Sequence, residues 1–108
     1  MTREEINTML TPFGTSSGVD IAYINFDGPP ATAEYIAYLP EGHDVFGADN
    51  KMLYSSPHWR IEVYTPKKAT DLIDKLLDYL TEYGVFWETE DSIIFIPEEE
   101  MYEYIIHI

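Results

Sequence analysis

Apolar residues recur at helical spacing over the second half of the chain. Ala69, Leu72, Ile73, Leu76, Leu77, Leu80 and Tyr83 follow one another at i, i+3, i+4 and i+7 steps, one broad stripe that predicts an amphipathic helix lying on a core. Thr65 can cap this helix, and Pro66 suits its first turn, where a missing N–H leaves no intrahelical bond unmade. Gly84 suits the left-handed residue that commonly follows a helix. Asp71 and Lys75 form an i,i+4 pair, worth about 0.3 kcal/mol. A shorter helix is predicted at the N-terminus. Thr2 and Glu5 make a T-x-x-E capping box, and Ile6, Met9, Leu10 and Phe13 then keep helical spacing. Pro12 and Gly14 are expected to end it, and "GTSSG" reads as a polar connector.

The remaining pattern is that of strands. Val19 to Phe26 has strand composition, and the "DGPPATA" that follows is a loop, because adjacent prolines cannot sit in a central strand. Glu34 to Pro40 is apolar on both faces apart from tyrosine tips, as a central strand is. "GHDVFGADNK", residues 42–51, is expected to be a loop or projecting hairpin, with "KMLYSS" and "HWRIEVYT" after it. In the latter, Ile61, Val63 and Thr65 alternate with Arg60, Glu62 and Tyr64, so one side packs and the other meets solvent or a partner. "VFWETEDSIIFIP" reads as two short strands around a polar turn at Thr89 to Ser92. "EEEMYEYIIHI" closes the chain as a strand with Tyr102, Tyr104, Ile106 and Ile108 on one face. This order predicts one α+β domain spanning 1–108. It has a mixed or largely antiparallel sheet of four to six strands, with one long amphipathic helix and a short N-terminal helix packed on one face.

Composition narrows the chemistry. The 108 residues fit one domain, and 45% apolar and 15% aromatic residues are enough for a packed core. The nine tyrosines suit half-buried sheet faces and interfaces. With no cysteine there are no disulfides, thiolate metal sites or cysteine nucleophiles. No apolar run approaches the roughly 18 residues of a membrane span. "MTREEINTML" has no basic region typical of a signal peptide, so an intracellular protein is expected.

The formal net charge is −14, and after Lys75 there is no Lys or Arg at all. Direct binding to a phosphate backbone is therefore disfavoured, since that affinity comes from cations. Three readings of the acidity stay open: a solubilising surface, a wall that repels DNA, and a mimic of DNA that occupies a basic groove.

The search for catalytic chemistry is short. His43, His58 and His107 have no i,i+4 partner, and no H-E-x-x-H occurs. His43, Asp44, Asp49 and Asn50 offer hard ligands, but counting an EF-hand from Asp44 puts Phe46 and Ala48 where acids are required. There is no phosphate-binding Gly-rich loop and no G-x-S-x-G elbow. Carboxylates are abundant enough for a glycosidase-like pair, yet a small sheet with helices on one face leaves little room for a deep cleft. No enzyme activity, cofactor or metal is expected. What stands out instead is the turn signal at Ala48 to Lys51, flanked by Val45, Phe46, Met52 and Leu53. Such an arm packs either on its own sheet or on a neighbouring subunit. The final strand either pairs within the sheet or offers an edge to another copy.

The order "EYIAYLP", Gly/Asp/Asn loop, "HWRIEVYTPKK" leading into an amphipathic helix, then "GVFWETEDSIIFIPEEEMYEYIIHI", resembles small minor structural proteins of long-tailed phages and prophages. These belong to the head–tail joining and tail-completion (tail-terminator-like) group. The likeness covers nearly the whole chain, most specifically "IEVYT" with Lys67 and Lys68, and "IPEEEMYE". The resemblance implies a non-enzymatic virion protein, made in the bacterial host cytoplasm. Copies would form a ring, often a hexamer, around the DNA channel and meet tail-tube and head-connector proteins. It places subunit contacts loosely at His43, Val45, Phe46, Asp49, Asn50, Met52 and Tyr54. It places an acidic channel face at Glu88, Glu90, Asp91, Glu98, Glu99 and Glu100. The alternative is a small acidic phage-encoded inhibitor that acts as a DNA mimic.

Overall fold

A computed structural model describes residues 1–26, 28–48, 51–66, 71–90 and 93–108, with the backbone alone for 43–48 and 51–57. The fold is α+β: two helices and a mixed six-stranded sheet. In chain order the elements are α1 (Arg3–Ser17), β1 (Asp20–Tyr23), β2 (Tyr35–Ala48), β3 (Lys51–Thr65), α2 (Asp71–Tyr83), β4 (Glu88–Thr89), β5 (Ile94–Ile96) and β6 (Met101–His107). The sheet runs β1-β2-β3-β6-β4, and β5 also pairs with β6. β1 is parallel to β2, and every other pairing is antiparallel.

The N-terminal helix is longer than the sequence suggests. The capping box forms as expected, with the Glu5 N–H donating to Thr2 Oγ1 at 3.2 Å and the Thr2 N–H to Glu5 Oε1 at 3.0 Å. The helix then continues through Pro12 and Gly14 to Ser17 and ends on Gly18 in the left-handed region. Pro12 removes the donor to the Thr8 carbonyl, but Thr8 is exposed and water can serve that oxygen. Burial of Ile6, Met9, Leu10 and Phe13 holds the helix together across the proline. Gly14 is kept small by packing. A Cβ there would come within 2.6 Å of Ile21 Cδ1 and 3.0 Å of the Val19 carbonyl oxygen.

The stripe on α2 is buried at Leu72, Ile73, Leu76 and Leu80, while Tyr83 at its end is half exposed. Ala69 and the lysines before it lie outside the described residues. Gly84 fills the expected left-handed position, φ 87°, and Val85 N–H bonds the Leu80 carbonyl at 2.9 Å. Both helices share one core with Ile36 and Tyr38 of β2, Ile61 and Val63 of β3, and Tyr104 and Ile106 of β6. The two helices are also tied by the Tyr79 hydroxyl, which donates to the Met9 carbonyl at 2.6 Å. The alternation Ile61, Val63, Thr65 against Arg60, Glu62, Tyr64 is therefore realised, with the first set toward the helices.

One strand is shorter than expected. The first strand is only Asp20–Tyr23. Of the loop or projecting hairpin expected at 42–51, the hairpin strands are present: β2 runs on to Ala48, β3 begins at Lys51, and a bulge at Glu41 separates the sheet part from the outer part. Both short strands expected after α2 are present as β4 and β5, and Asp91 and Ser92 of the turn expected between them lie outside the described residues. β4 and β5 both lie antiparallel to β6, along the side away from β3, and five residue steps from Thr89 to Ile94 answer three on β6. The chain reverses into β6 at Pro97–Glu100, where the Glu100 N–H bonds the Pro97 carbonyl at 3.3 Å and Glu100 has φ 53°.

Candidate functional sites

The β2–β3 hairpin leaves the sheet as a two-stranded arm. β1 pairs with β2 only over Tyr35–Tyr38, and β6 pairs with β3 only over Arg60–Thr65. Beyond them seven further pairs, from Gly42↔His58 to Ala48↔Lys51, join β2 and β3 to each other alone. At about 3.3 Å per residue this is an arm of roughly 20 Å, and it accounts for the elongated outline of 50 × 28 × 27 Å. Of the interface candidates, Phe46 and Tyr54 are register partners, His43 pairs with Pro57, Val45 with Ser55, and Met52 with Gly47. The structure thus brings His43, Val45, Phe46, Met52 and Tyr54 onto one ribbon. Asp49 and Asn50 lie outside the described residues, as does Asp91.

The other acidic candidates separate into two groups. Glu88 and Glu90 sit beside the C-terminal end of β6, and Glu98, Glu99 and Glu100 form the turn before its first residue. Six residues of strand, roughly 20 Å, lie between the groups. All five are exposed.

The sheet face away from the helices carries a polar network that the sequence reading left unassigned. Arg60, Glu62 and Tyr64 of β3 lie beside His107, Ile105 and Glu103 of β6. Arg60 donates to Glu62 Oε1 from Nε at 3.1 Å and from Nη2 at 3.0 Å, and the Tyr64 hydroxyl donates to Glu62 Oε2. Burial pushes the Glu62 carboxyl up, but hydrogen bonds from Glu103 and Tyr64 and the charge of Arg60 outweigh it and hold Glu62 below its ordinary value. Glu103 goes the other way, raised by burial and by its bond to Glu62. Glu103 is thus the member of the pair that takes up a proton first as pH falls. Burial and the two carboxylates also raise the Tyr64 phenol, so it remains a donor.

The network continues to the arm's base. His107 Nδ1 lies 2.6 Å from Glu41 Oε2, and Nε2 lies 3.1 Å from Glu90 Oε1. The hydrogen bond to Glu41 is the main cause that raises the His107 pKa. Charged, the imidazolium clamps the short β4 segment to the bulge from which the arm departs. Period-two spacing of Arg60, Glu62 and Tyr64 was the available sequence signal. What the sequence could not show was that Glu103 and His107 lie on the adjacent strand.

A shallow cleft of about 330 Å³ opens on the same face between β2, β3 and the β5–β6 turn, with Tyr35, Tyr64 and Glu99 among its lining residues. Among the described residues, no group of three or more His, Asp or Glu is arranged to hold a metal, and no helix is long and apolar enough to cross a membrane. A scan of protein-family models and a comparison with curated proteins both give no match.

Proposed function

We propose that this chain is a self-assembling structural subunit of a long-tailed phage, a tail-completion or tail-terminator protein that forms a ring around the DNA channel at the head–tail interface. The arm carries this reading. A two-stranded ribbon is marginally stable alone, and both its outer edges offer unpaired backbone groups to another chain. A neighbouring subunit is the natural support. Apart from the arm, an apolar surface lies beside β4 and β5, where Phe86 is 81% exposed and Ile93 and Phe95 about half exposed. Two different patches are what a head-to-tail, ring-closing contact needs. The acids at both ends of β6 suit a wall that repels phosphates across a Debye length, roughly 8–10 Å. Tail-tube and head-connector proteins would then be the partners.

The test is Phe46→Asp, read by self-association and by circular dichroism, together with mass spectrometry of purified virions. Weakened association with an intact fold, and the chain present in virions, supports the proposal. Collapse of the fold would make Phe46 ordinary core and move the interface elsewhere. A strictly monomeric chain that never joins virions would end it.

One observation favours the DNA-mimic alternative. Asp71, Asp74, Asp78 and Glu82 are exposed at successive turns of α2, about 4.5–6 Å apart along its axis. A mimic would displace nucleic acid from its basic partner, which a ring subunit would not do.

A further inference from the structure

The cleft on the open sheet face lies apart from the arm, and neither reading above uses it. Its floor is Ala37, whose short side chain on β2 makes the depression. Its walls are aromatic. Tyr35 and Tyr64 are register partners with rings stacked at 4.9 Å and 19°, and Phe26 meets Tyr35 edge-on at 5.4 Å and 81°. Ile96 closes one side and Glu99 stands on the rim. Burial, then the charge of Glu99 and its hydrogen bond, raise the Tyr35 phenol, so Tyr35 donates to Glu99 as Tyr64 donates to Glu62. Donation to a carboxylate fixes each ring and enriches its π-cloud. None of the described lining residues is positively charged.

We infer that this cleft receives an arginine side chain from a basic partner protein. The chemistry selects that group. Electron-rich rings attract a cation, and a planar guanidinium stacks on them while donating to a carboxylate such as Glu99; a compact ammonium does this less well. The Glu62–Glu103 pair keeps a negative charge behind Tyr64, so an anionic ligand is repelled. The partner is a different protein, because both arginines of this chain are already engaged, Arg3 over the Tyr23 ring at 3.9 Å and Arg60 on Glu62 at 3.0 Å. The volume suits one long side chain and its flanking backbone. The cleft is also held in shape at some expense. Ile24, on its wall, has φ 66°, and Glu100, next to Glu99, has φ 53°, a region that non-glycine residues seldom occupy.

The inference does not depend on ring formation, and it is tested on the full chain in solution. The probe is acetyl-Ala-Arg-Ala-amide, titrated into ¹⁵N-labelled protein at 150 mM salt, with the citrulline tripeptide as its neutral counterpart. The arginine peptide is expected to shift the amides of Tyr35, Ala37, Tyr64 and Ile96 saturably, with a Kd on the order of millimolar. The citrulline peptide should leave them in place. Glu99→Gln, in an exposed turn, should keep the fold and weaken binding at least about threefold, a loss of about 0.7 kcal/mol. Equal shifts from both peptides, shifts confined to α2, or unchanged affinity in Glu99→Gln would each overturn the assignment.

Discussion

Replacing His107 by Gln should remove stability only where the imidazole is charged. His107 lies between Glu41 and Glu90, with side chains 30%, 31% and 41% exposed respectively. Each such partly exposed pair is worth about 0.2–1 kcal/mol, so the clamp contributes about 1 kcal/mol in total. Other charges face it as well. Arg60 is its register partner on β3 and approaches Glu41 at 4.0 Å, which opposes the proton, while Glu88 is its partner on β4 and favours it. His58 lies nearby around the same hollow. The net shift is upward from the ordinary 6.5. A raised folded-state pKa means that the native chain holds the proton more tightly than the unfolded chain does. The contribution is therefore complete below pH 6.5 and is lost as pH rises through the folded-state value. Urea unfolding of the wild type and His107→Gln, at steps from pH 5.5 to 9, measures it. With a slope of roughly 1.3 kcal/mol per molar urea, the midpoints should differ by about 0.8 M at the acidic end and converge at the alkaline end. Added salt should shrink the acidic-end difference. A gap that is constant with pH, or that widens toward pH 9, would refute the clamp.

Three further substitutions probe the fold. Glu103→Gln keeps a donor to Glu62 but removes the like-charge conflict, so at pH 7 stability should rise by about 0.5 kcal/mol, read by urea midpoint. Gly14→Ala should destabilise by about 1–3 kcal/mol, because the new methyl group meets Ile21 and the Val19 backbone; a neutral result in thermal melting would contradict the packing of α1 on β1. Glu100→Gly should stabilise by about 0.5–1 kcal/mol by relieving the left-handed φ in the β5–β6 turn, measured by the same melts.

The legible parts of the fold were those with strong local chemistry. The capping box at Thr2 and Glu5, the α2 stripe, Gly84, and the alternation from Arg60 to Thr65 each have one physical solution. The reversal at "PEEE" was not legible, because that segment contains no glycine or asparagine and yet places Glu100 in the left-handed region. "GHDVFGA" has loop-like composition, yet it forms one side of the projecting hairpin because β3 pairs with it. Pairing with a distant strand outweighs local preference. The same limit hid the open-face network. Glu62 and Glu103 are 41 positions apart in sequence, and the β3–β6 register is what makes them neighbours. The cleft likewise depends on Phe26, Tyr35, Tyr64 and Glu99 arriving from four separate segments.

Self-assembly through the arm is most directly tested by light scattering on the purified full chain across protein concentration and salt. A single copy has a mass of 12.5 kDa. Repulsion between copies of charge −14 should keep the chain small at low ionic strength. Raising salt toward 1 M, where the Debye length falls to about 3 Å, should drive it into one closed multiple of that mass. Phe46→Asp should stay monomeric under the same conditions. A mass of 12.5 kDa at every concentration and salt, or assembly that Phe46→Asp leaves untouched, would contradict an arm-mediated ring.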